Sequence, residues 1–259
     1  MIWVIAGTLD GRRLAVSVRE MTNQPVLVSV VSQYGAQLAA HEGIEVHTGR
    51  LDEAAMEALI DEKDVKLLVD ASHPYAAVVT ATARKAAEAK GIPFIRFERA
   101  EVPLPAYDKL HHVSNEAEAA ALAGELGDRV FLTTGSKTMA IFAQSPALQD
   151  KDVWTRVLPT SEVLTMMEEL AVSPKRIIAM QGPFSYEMNR TMFADTDADV
   201  VVMKNSGLVG GSDTKLQAAI DLGLHIIVID RPRPAEGALT IISADEFCTW
   251  WEANGNGLR

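Results

Sequence analysis

The sequence predicts an α/β protein made of mostly parallel sheets with flanking helices, and three observations carry that expectation. Short apolar runs alternate with segments of helical spacing along nearly the whole chain. The runs are apolar at successive positions, as in Val200-Val201-Val202-Met203, which is the pattern of strands covered on both faces. Eleven such runs in 259 residues are too many for one compact open sheet, so two Rossmann-like domains are expected, over residues 1–99 and 100–259.

The elements follow in order. Ile2–Ala6 is an apolar run closed by Gly7, and Asp10–Met21 places Leu14, Ala15 and Val18 on one helical face. Pro25 precedes a second strand, Val26–Val31, and Tyr34–His41 is a short helix ended by Gly43. Ile44–His47 is the third strand, and Asp52 caps a helix carrying Met56, Leu59 and Ile60. Leu67–Asp70 is the fourth strand. Ser72 as N-cap and Pro74 in the first turn are expected to open a long alanine-rich helix that Gly91 ends, before the fifth strand, Phe94–Phe97. Two prolines and no periodicity mark Ala100–Asp108 as a linker. Six more strands are expected at Leu110–Val113, Val130–Thr133, Val153–Val157, Arg176–Met180, Asp199–Met203 and His225–Ile229, with helices between them and a last helix at Ala244–Ala253.

Bulk properties exclude several classes. Hydrophobic residues at 48% with 23% charged are ordinary for a globular protein with a substantial core. A net charge of −11 argues against nucleic acid or an anionic membrane as partner. The acidity is uneven: residues 1–99 hold 11 Lys/Arg against 13 Asp/Glu, and residues 100–259 hold 13 against 22. An anionic ligand therefore needs a local cationic cluster. The single cysteine, Cys248, lies near Phe247 and Trp250 and reads as structural, and the composition fits a reducing cytoplasm. No apolar run reaches the roughly 20 residues of a membrane span.

In open α/β sheets the ligand lies outside the carboxyl ends of the strands, so the loops there are the candidates. The first is Gly7-Thr8-Leu9-Asp10-Gly11-Arg12-Arg13, where glycine and a helix amino terminus suit a pyrophosphate, although any tight βα turn uses glycine. The second strand ends in Ser32-Gln33-Tyr34 with no acid for a ribose 2′-hydroxyl; hydroxyls beside Arg12 or Arg13 suit a 2′-phosphate, and so NADPH over NADH. The fourth strand delivers Ser72, His73 and Tyr75 to the same edge. Arg96 and Arg99 around Glu98 read either as a carboxylate clamp or as an ion-pair cluster. In the second half, Thr134-Gly135-Ser136-Lys137, Gln181-Gly182-Pro183-Phe184-Ser185, Lys204-Asn205-Ser206-Gly207 and Arg231-Pro232-Arg233 all follow strands with donor-rich loops, and Lys215 sits on a helix just beyond.

Other chemistries find no support in the spacing. His111 and His112 point to opposite faces of a strand, His41 and His47 lack ligand partners, and no metal site is expected. There is no Gly-x-Ser-x-Gly elbow. Met166, Met167, Met188 and Met192 sit at helical positions and read as core. The residues alone leave open an NADPH reductase of some small carbonyl or imine, or a module that holds a nucleotide or anion without chemistry.

The ordered set Gly-Thr-x-Asp-Gly-Arg, Asp-x-Ser-His-Pro-Tyr-Ala, Arg-x-Glu-Arg, Thr-Thr-Gly-Ser-Lys, Gln-Gly-Pro-Phe-Ser and Lys-Asn-Ser-Gly-x-x-Gly-Gly resembles the precorrin-6A reductase family of cobalamin biosynthesis, from Ile2 to about Pro232. The resemblance implies NADPH-dependent reduction of one macrocycle double bond (C18=C19) of precorrin-6A or its cobalt form, in a cleft between two Rossmann-like domains. It implies an N-terminal NADPH domain, with Gly7, Thr8, Asp10, Gly11 and Arg12 at the dinucleotide and His73 and Tyr75 near the nicotinamide. It puts Thr134, Ser136 and Lys137 on the facing part of NADPH or on the substrate side, and Ser185, Asn205, Ser206 and Lys215 on the anionic, tetrapyrrole-derived substrate. Lys204 is expected to stabilise developing negative charge and to supply the proton, with desolvation lowering its pKa, and His73 is the second candidate.

Overall fold

A computed structural model of the protein describes residues 1–232 and 239–258. The first run of elements is β1 (Ile2–Ile5), α1 (Leu9–Thr22), β2 (Val26–Val30), α2 (Gln33–Ala39), β3 (Ile44–Thr48), α3 (Glu53–Glu62), β4 (Leu67–Asp70), α4 (Ala77–Lys90) and β5 (Phe94–Phe97). The second is β6 (Leu110–Val113), α5 (Glu116–Leu126), β7 (Arg129–Leu132), α6 (Met139–Ala143), β8 (Asp152–Val157), α7 (Ser161–Glu169), β9 (Ile177–Ala179), α8 (Tyr186–Asp195), β10 (Val200–Lys204), α9 (Ser212–Asp221) and β11 (His225–Ile229). The chain then adds β12 (Leu239–Ile241) and α10 (Ala244–Asn254). Among the described residues no helix is long and apolar enough to cross a membrane.

Two compact units result, one of Met1–Ala100 with Pro232–Arg259, the other of Glu101–Arg231. This corrects the expected division at residue 100: the segment from Pro232 onward belongs with the first unit. The cause lies in β12, which pairs in parallel with β5, Leu239 against Ile95 and Ile241 against Phe97. Phe247 and Trp251 of α10 then complete a core with Leu14 and Val18 of α1. Three short residues, two of them exposed, gave β12 no strand signature of their own.

The first sheet runs β12-β5-β4-β1-β2-β3 and the second β6-β11-β10-β7-β8-β9, and every pairing in both is parallel. In β1 the side chains of Ile2 and Val4 enter one core cluster and those of Trp3 and Ile5 another, so both faces are covered, as the unbroken apolar runs require. The buried indole of Trp3 donates to Ser29 Oγ at 2.9 Å, which satisfies its only polar atom. In the second unit Phe131, Val201, Met203, Ile226 and Val228 pack against Phe193 of α8 and Leu216 of α9.

Helix ends mostly follow their sequence signals. Asp52 Oδ1 accepts from Ala55 N–H at 2.9 Å, and Gly91 ends α4 with φ +64°. The start of α4 differs. The helix opens at Ala77 rather than at Pro74, and Ser72 does not cap it; the Ser72 hydroxyl accepts instead from Arg96 Nη1 at 3.1 Å. Residues 73–76 form a separate turn closed by Ala76 N–H to the His73 carbonyl at 2.8 Å.

Candidate functional site

Strand order reverses direction between β1 and β4 in the first sheet and between β7 and β10 in the second. Such switch points open a crevice at the carboxyl ends of the strands. Gly7–Gly11 span the loop after β1 and the first turn of α1, and Ser72–Tyr75 follow β4; the segments after β7 and β10 contain Thr134–Lys137 and Asn205–Gly211. Both switch points are thus lined by loops that the sequence marks as candidates.

In the first unit, Thr8 caps α1 by accepting from Gly11 N–H at 3.2 Å. Gly7 is exposed, and a methyl group there would meet nothing within 4 Å. Gly11 is buried, and its added Cβ would lie 2.8 Å from the Ala71 carbonyl oxygen and 3.1 Å from Ala6 Cα. One glycine therefore leaves open space above the loop and the other lets α1 sit against β1 and β4. Arg12 is half-buried beside them. Ser32 caps α2 through Gly35 N–H at 3.0 Å, and Tyr34 is exposed in the first turn of that helix. His73 Nδ1 accepts from Tyr75 N–H at 3.3 Å. The two rings lie 5.6 Å apart.

The expected carboxylate clamp of Arg96 and Arg99 is instead a pair of internal ion pairs. Arg96 Nη1 lies 2.8 Å from Asp70 Oδ2 with both groups buried, a contact set by charge since its angle falls outside that of a hydrogen bond. The same nitrogen donates to the Asp70 carbonyl and to Ser72. Arg99 Nε lies 3.0 Å from Asp10 Oδ2, tying the end of β5 to the start of α1. Asp10 thus positions the first loop through Arg99.

In the second unit, Gly135 and Gly207 share one backbone conformation, φ +79° with ψ −179° and 179°, a region open essentially to glycine. Each begins a 3₁₀ turn, Ser136–Thr138 and Leu208–Gly210. The Thr134 hydroxyl is buried with no hydrogen-bond partner among the described residues, while Lys137 is exposed. Lys204 Nζ pairs with Glu116 Oε1 of α5 at 2.8 Å, both side chains largely buried. No local pattern in the sequence marks Glu116, 88 residues away, as the partner of Lys204.

Asn205 also departs from expectation. Its side chain is 3% exposed and pairs with Val102 both ways, accepting from the N–H at 3.1 Å and donating to the carbonyl at 2.8 Å. This carboxamide fastens the linker and is not offered to a ligand. Arg231 joins the same junction through the Asn205 carbonyl at 2.9 Å and Glu101 at 3.2 Å, whereas Arg233 lies outside the described residues. Ser206 N–H donates to Ser212 Oγ at 2.9 Å, which fixes the loop to the first residue of α9. Ser185 caps α8 and is exposed.

Lys215 is 7% exposed on α9 beside Arg156 of β8, which is 6% exposed; sequence reasoning passed over Arg156 because one cation inside Val-Trp-Thr-Arg-Val has no local signature. Met188 is 40% exposed and Met167 fully buried, so the methionines are core only in part. Among the described residues no group of three His, Cys, Asp or Glu side chains is placed to hold a metal ion.

Fold and loops together define a doubly wound α/β protein with a switch point, and so a candidate ligand edge, in each unit. The model of the family described as Precorrin-6x reductase CbiJ/CobK matches residues 1–252, and the chain belongs to that family. It is 39% identical over 240 residues to the cobalt-precorrin-6A reductase of Priestia megaterium, covering 92% of this chain and 93% of that one. To the cobalt-precorrin-6A reductase of Salmonella typhimurium it is 36% identical, covering 95% and 90%. The solved structure of CobK precorrin-6A reductase superposes with a TM-score of 0.81 at 26% identity, covering 100% of this chain and 98% of that one.

Proposed function

We propose that this chain is a cytoplasmic reductase that saturates the C18=C19 double bond of precorrin-6A or cobalt-precorrin-6A, with NADPH as reductant. The observation that carries the reading is the position of the glycine-rich loop after β1 at one switch point and of the hydroxyl- and lysine-bearing loops after β7 and β10 at the other.

The residues of the first unit fit a dinucleotide. Gly7 leaves room for a pyrophosphate over the amino terminus of α1, and the segment after β2 offers the hydroxyls of Ser32 and Tyr34 rather than an acid. Bound NADPH supplies the hydride. The protein's task is then to orient the two ligands, exclude water and manage charge and one proton. Hydride arrival at C19 builds negative charge on the π-system, and Lys204 faces that charge as stabiliser and proton donor to C18. Glu116 holds the Lys204 ammonium in place. His73, whose Nδ1 accepts from Tyr75 N–H, is the second candidate donor. In the second unit Thr134, Ser136 and Lys137 are the candidates for the cofactor, and Ser185, Ser206 and Lys215 those for the carboxylate-bearing substrate. Exposed Leu208 and Val209, beside these polar groups, suit a ligand with an apolar ring and an anionic rim.

The test is loss of 340 nm absorbance when the protein is mixed with NADPH and precorrin-6A, metal-free and cobalt-bearing. Turnover with either is expected, and Lys204→Ala is expected to lower kcat about a hundredfold with the NADPH dissociation constant unchanged. Oxidation only with small carbonyls would make the chain a different reductase. Absence of NADPH binding would make it an anion-binding module. Unchanged kcat with weakened NADPH binding would move Lys204 to the cofactor.

A further inference from the structure

We propose that Arg156 and Lys215 form a buried subsite in the second unit for an oxyanion, either a carboxylate arm of the macrocycle or a phosphate group of the dinucleotide. The identity of these two sources rests on the functional reading above; the subsite itself rests on how the protein treats its other buried cations.

Those cations are paired with acids. Arg96 lies against Asp70, Arg99 against Asp10, Lys204 against Glu116 and Arg231 against Glu101. Arg156 and Lys215 are as deeply buried, and among the described residues neither has a carboxylate within ion-pair distance. Arg156 instead stacks on Phe184, its guanidinium carbon 4.1 Å from the ring centroid, with Phe131 at 5.8 Å on the same cation. Its Nη1 donates to Asn189 Oδ1 at 2.7 Å and contacts Met192 Sδ at 3.5 Å. Among the described residues its other guanidinium N–H groups, and the Lys215 ammonium, donate to no partner. Asn189 is itself fixed through its amide nitrogen to the Phe184 and Ser185 carbonyls and to Thr214 Oγ1, so the arginine is held in one orientation by a network that leaves donors over.

Burying two cations without an anion carries a desolvation penalty that a bound oxyanion would offset. The local charge is felt: burial, and the neighbouring Arg156 after it, push Lys215 down to about 7 against the pull of Asp213, and burial pushes Arg156 down to about 10. The site also adjoins the amino termini of two ten-residue helices, α8 capped by Ser185 and α9 entered through Gly211 with no side-chain cap. Both ends add positive potential. An oxyanion there would accept from the arginine fork and from the ammonium together, the arrangement that planar carboxylates and phosphates favour.

The experiment uses the whole protein and the variants Arg156→Gln and Lys215→Met, each checked for a cooperative thermal transition, with Arg156→Lys as substitute if the glutamine variant does not fold. Citrate and inorganic phosphate are titrated against thermal stability; uroporphyrin, a macrocyclic octacarboxylate, is titrated by quenching of tryptophan fluorescence, and NADPH by its own fluorescence. Either anion should raise the melting temperature of the wild type and not of the variants. A tenfold loss of uroporphyrin affinity with NADPH unchanged identifies the carboxylate as the natural occupant, and the converse identifies the phosphate. Folded variants that bind all four ligands as the wild type does would overturn the subsite. Because the citrate and phosphate arms require no turnover, they test the subsite even if the protein fails to reduce precorrin-6A.

Discussion

At the scale of single residues, burial has set apart side chains that look alike in the sequence. Arg96, Arg99 and Asn205 direct their donors to partners inside the protein, whereas among the described residues buried Lys215 donates to no partner and buried Arg156 donates only through Nη1. The sequence marks Lys215 because it follows a glycine-rich loop. It could not mark Arg156, whose partners Phe184 and Asn189 lie 28 and 33 residues away. The lysine has a consequence for stability. Its folded pKa of about 7 is below the ordinary 10.5, so between those values the unfolded chain binds more protons than the folded one. Stability must therefore rise with pH across that window, and the full penalty of burying the charge is present below it. Arg156 and Asp213 are the charged groups acting on the ammonium, and Arg156, held at about 10 by burial, stays largely charged up to pH 9. In urea titrations of the ligand-free protein, stability relative to Lys215→Met should climb by roughly 1 kcal/mol per pH unit from pH 7 to 9. The variant should be the more stable protein at pH 7. Parallel pH curves for the two would show that Lys215 is solvated.

At the scale of elements, the βα loops were readable because glycine and capping residues are local signals. Asp52 and Gly91 act where their positions indicate. The start of α4 was misread because the Ser72 hydroxyl is claimed by Arg96 from another strand, a partner that no local pattern reveals. What the sequence leaves undivided is the labour between glycines of one loop. A methyl at Gly11 must displace the Ala71 carbonyl or the backbone at Ala6, so Gly11→Ala should cost about 1–3 kcal/mol in thermal or urea unfolding. A methyl at Gly7 meets no protein atom, so Gly7→Ala should leave stability within about 0.5 kcal/mol. If the dinucleotide takes the proposed place above Gly7, the same variant should bind NADPH at least tenfold more weakly by fluorescence titration. If Gly7→Ala bound NADPH normally, the dinucleotide would have to lie elsewhere.

At the scale of the molecule, the chain leaves its first unit after Ala100 and re-enters at Pro232. The repeated βα pattern made two sheets legible, but strand counting assigns elements by order, and β12 is joined to β5 only in space. Residues 1–100 alone lack β12, Phe247 and Trp251, and so lack one edge of the sheet and part of the core against α1. That fragment should show no cooperative thermal transition by circular dichroism, whereas the same residues joined by a flexible linker to 232–259 should regain one. A cooperative melt of 1–100 by itself would mean that the returning segment is dispensable to the fold. The second unit is continuous, and Glu101 and Arg231, its first and last residues, are held together by their own ion pair. On the ribosome this nesting reverses the order that sequence position implies. The middle of the chain can complete its fold while the segment that emerged first still waits for the last thirty or so residues to be made, with β5 exposed as an open strand edge until β12 arrives.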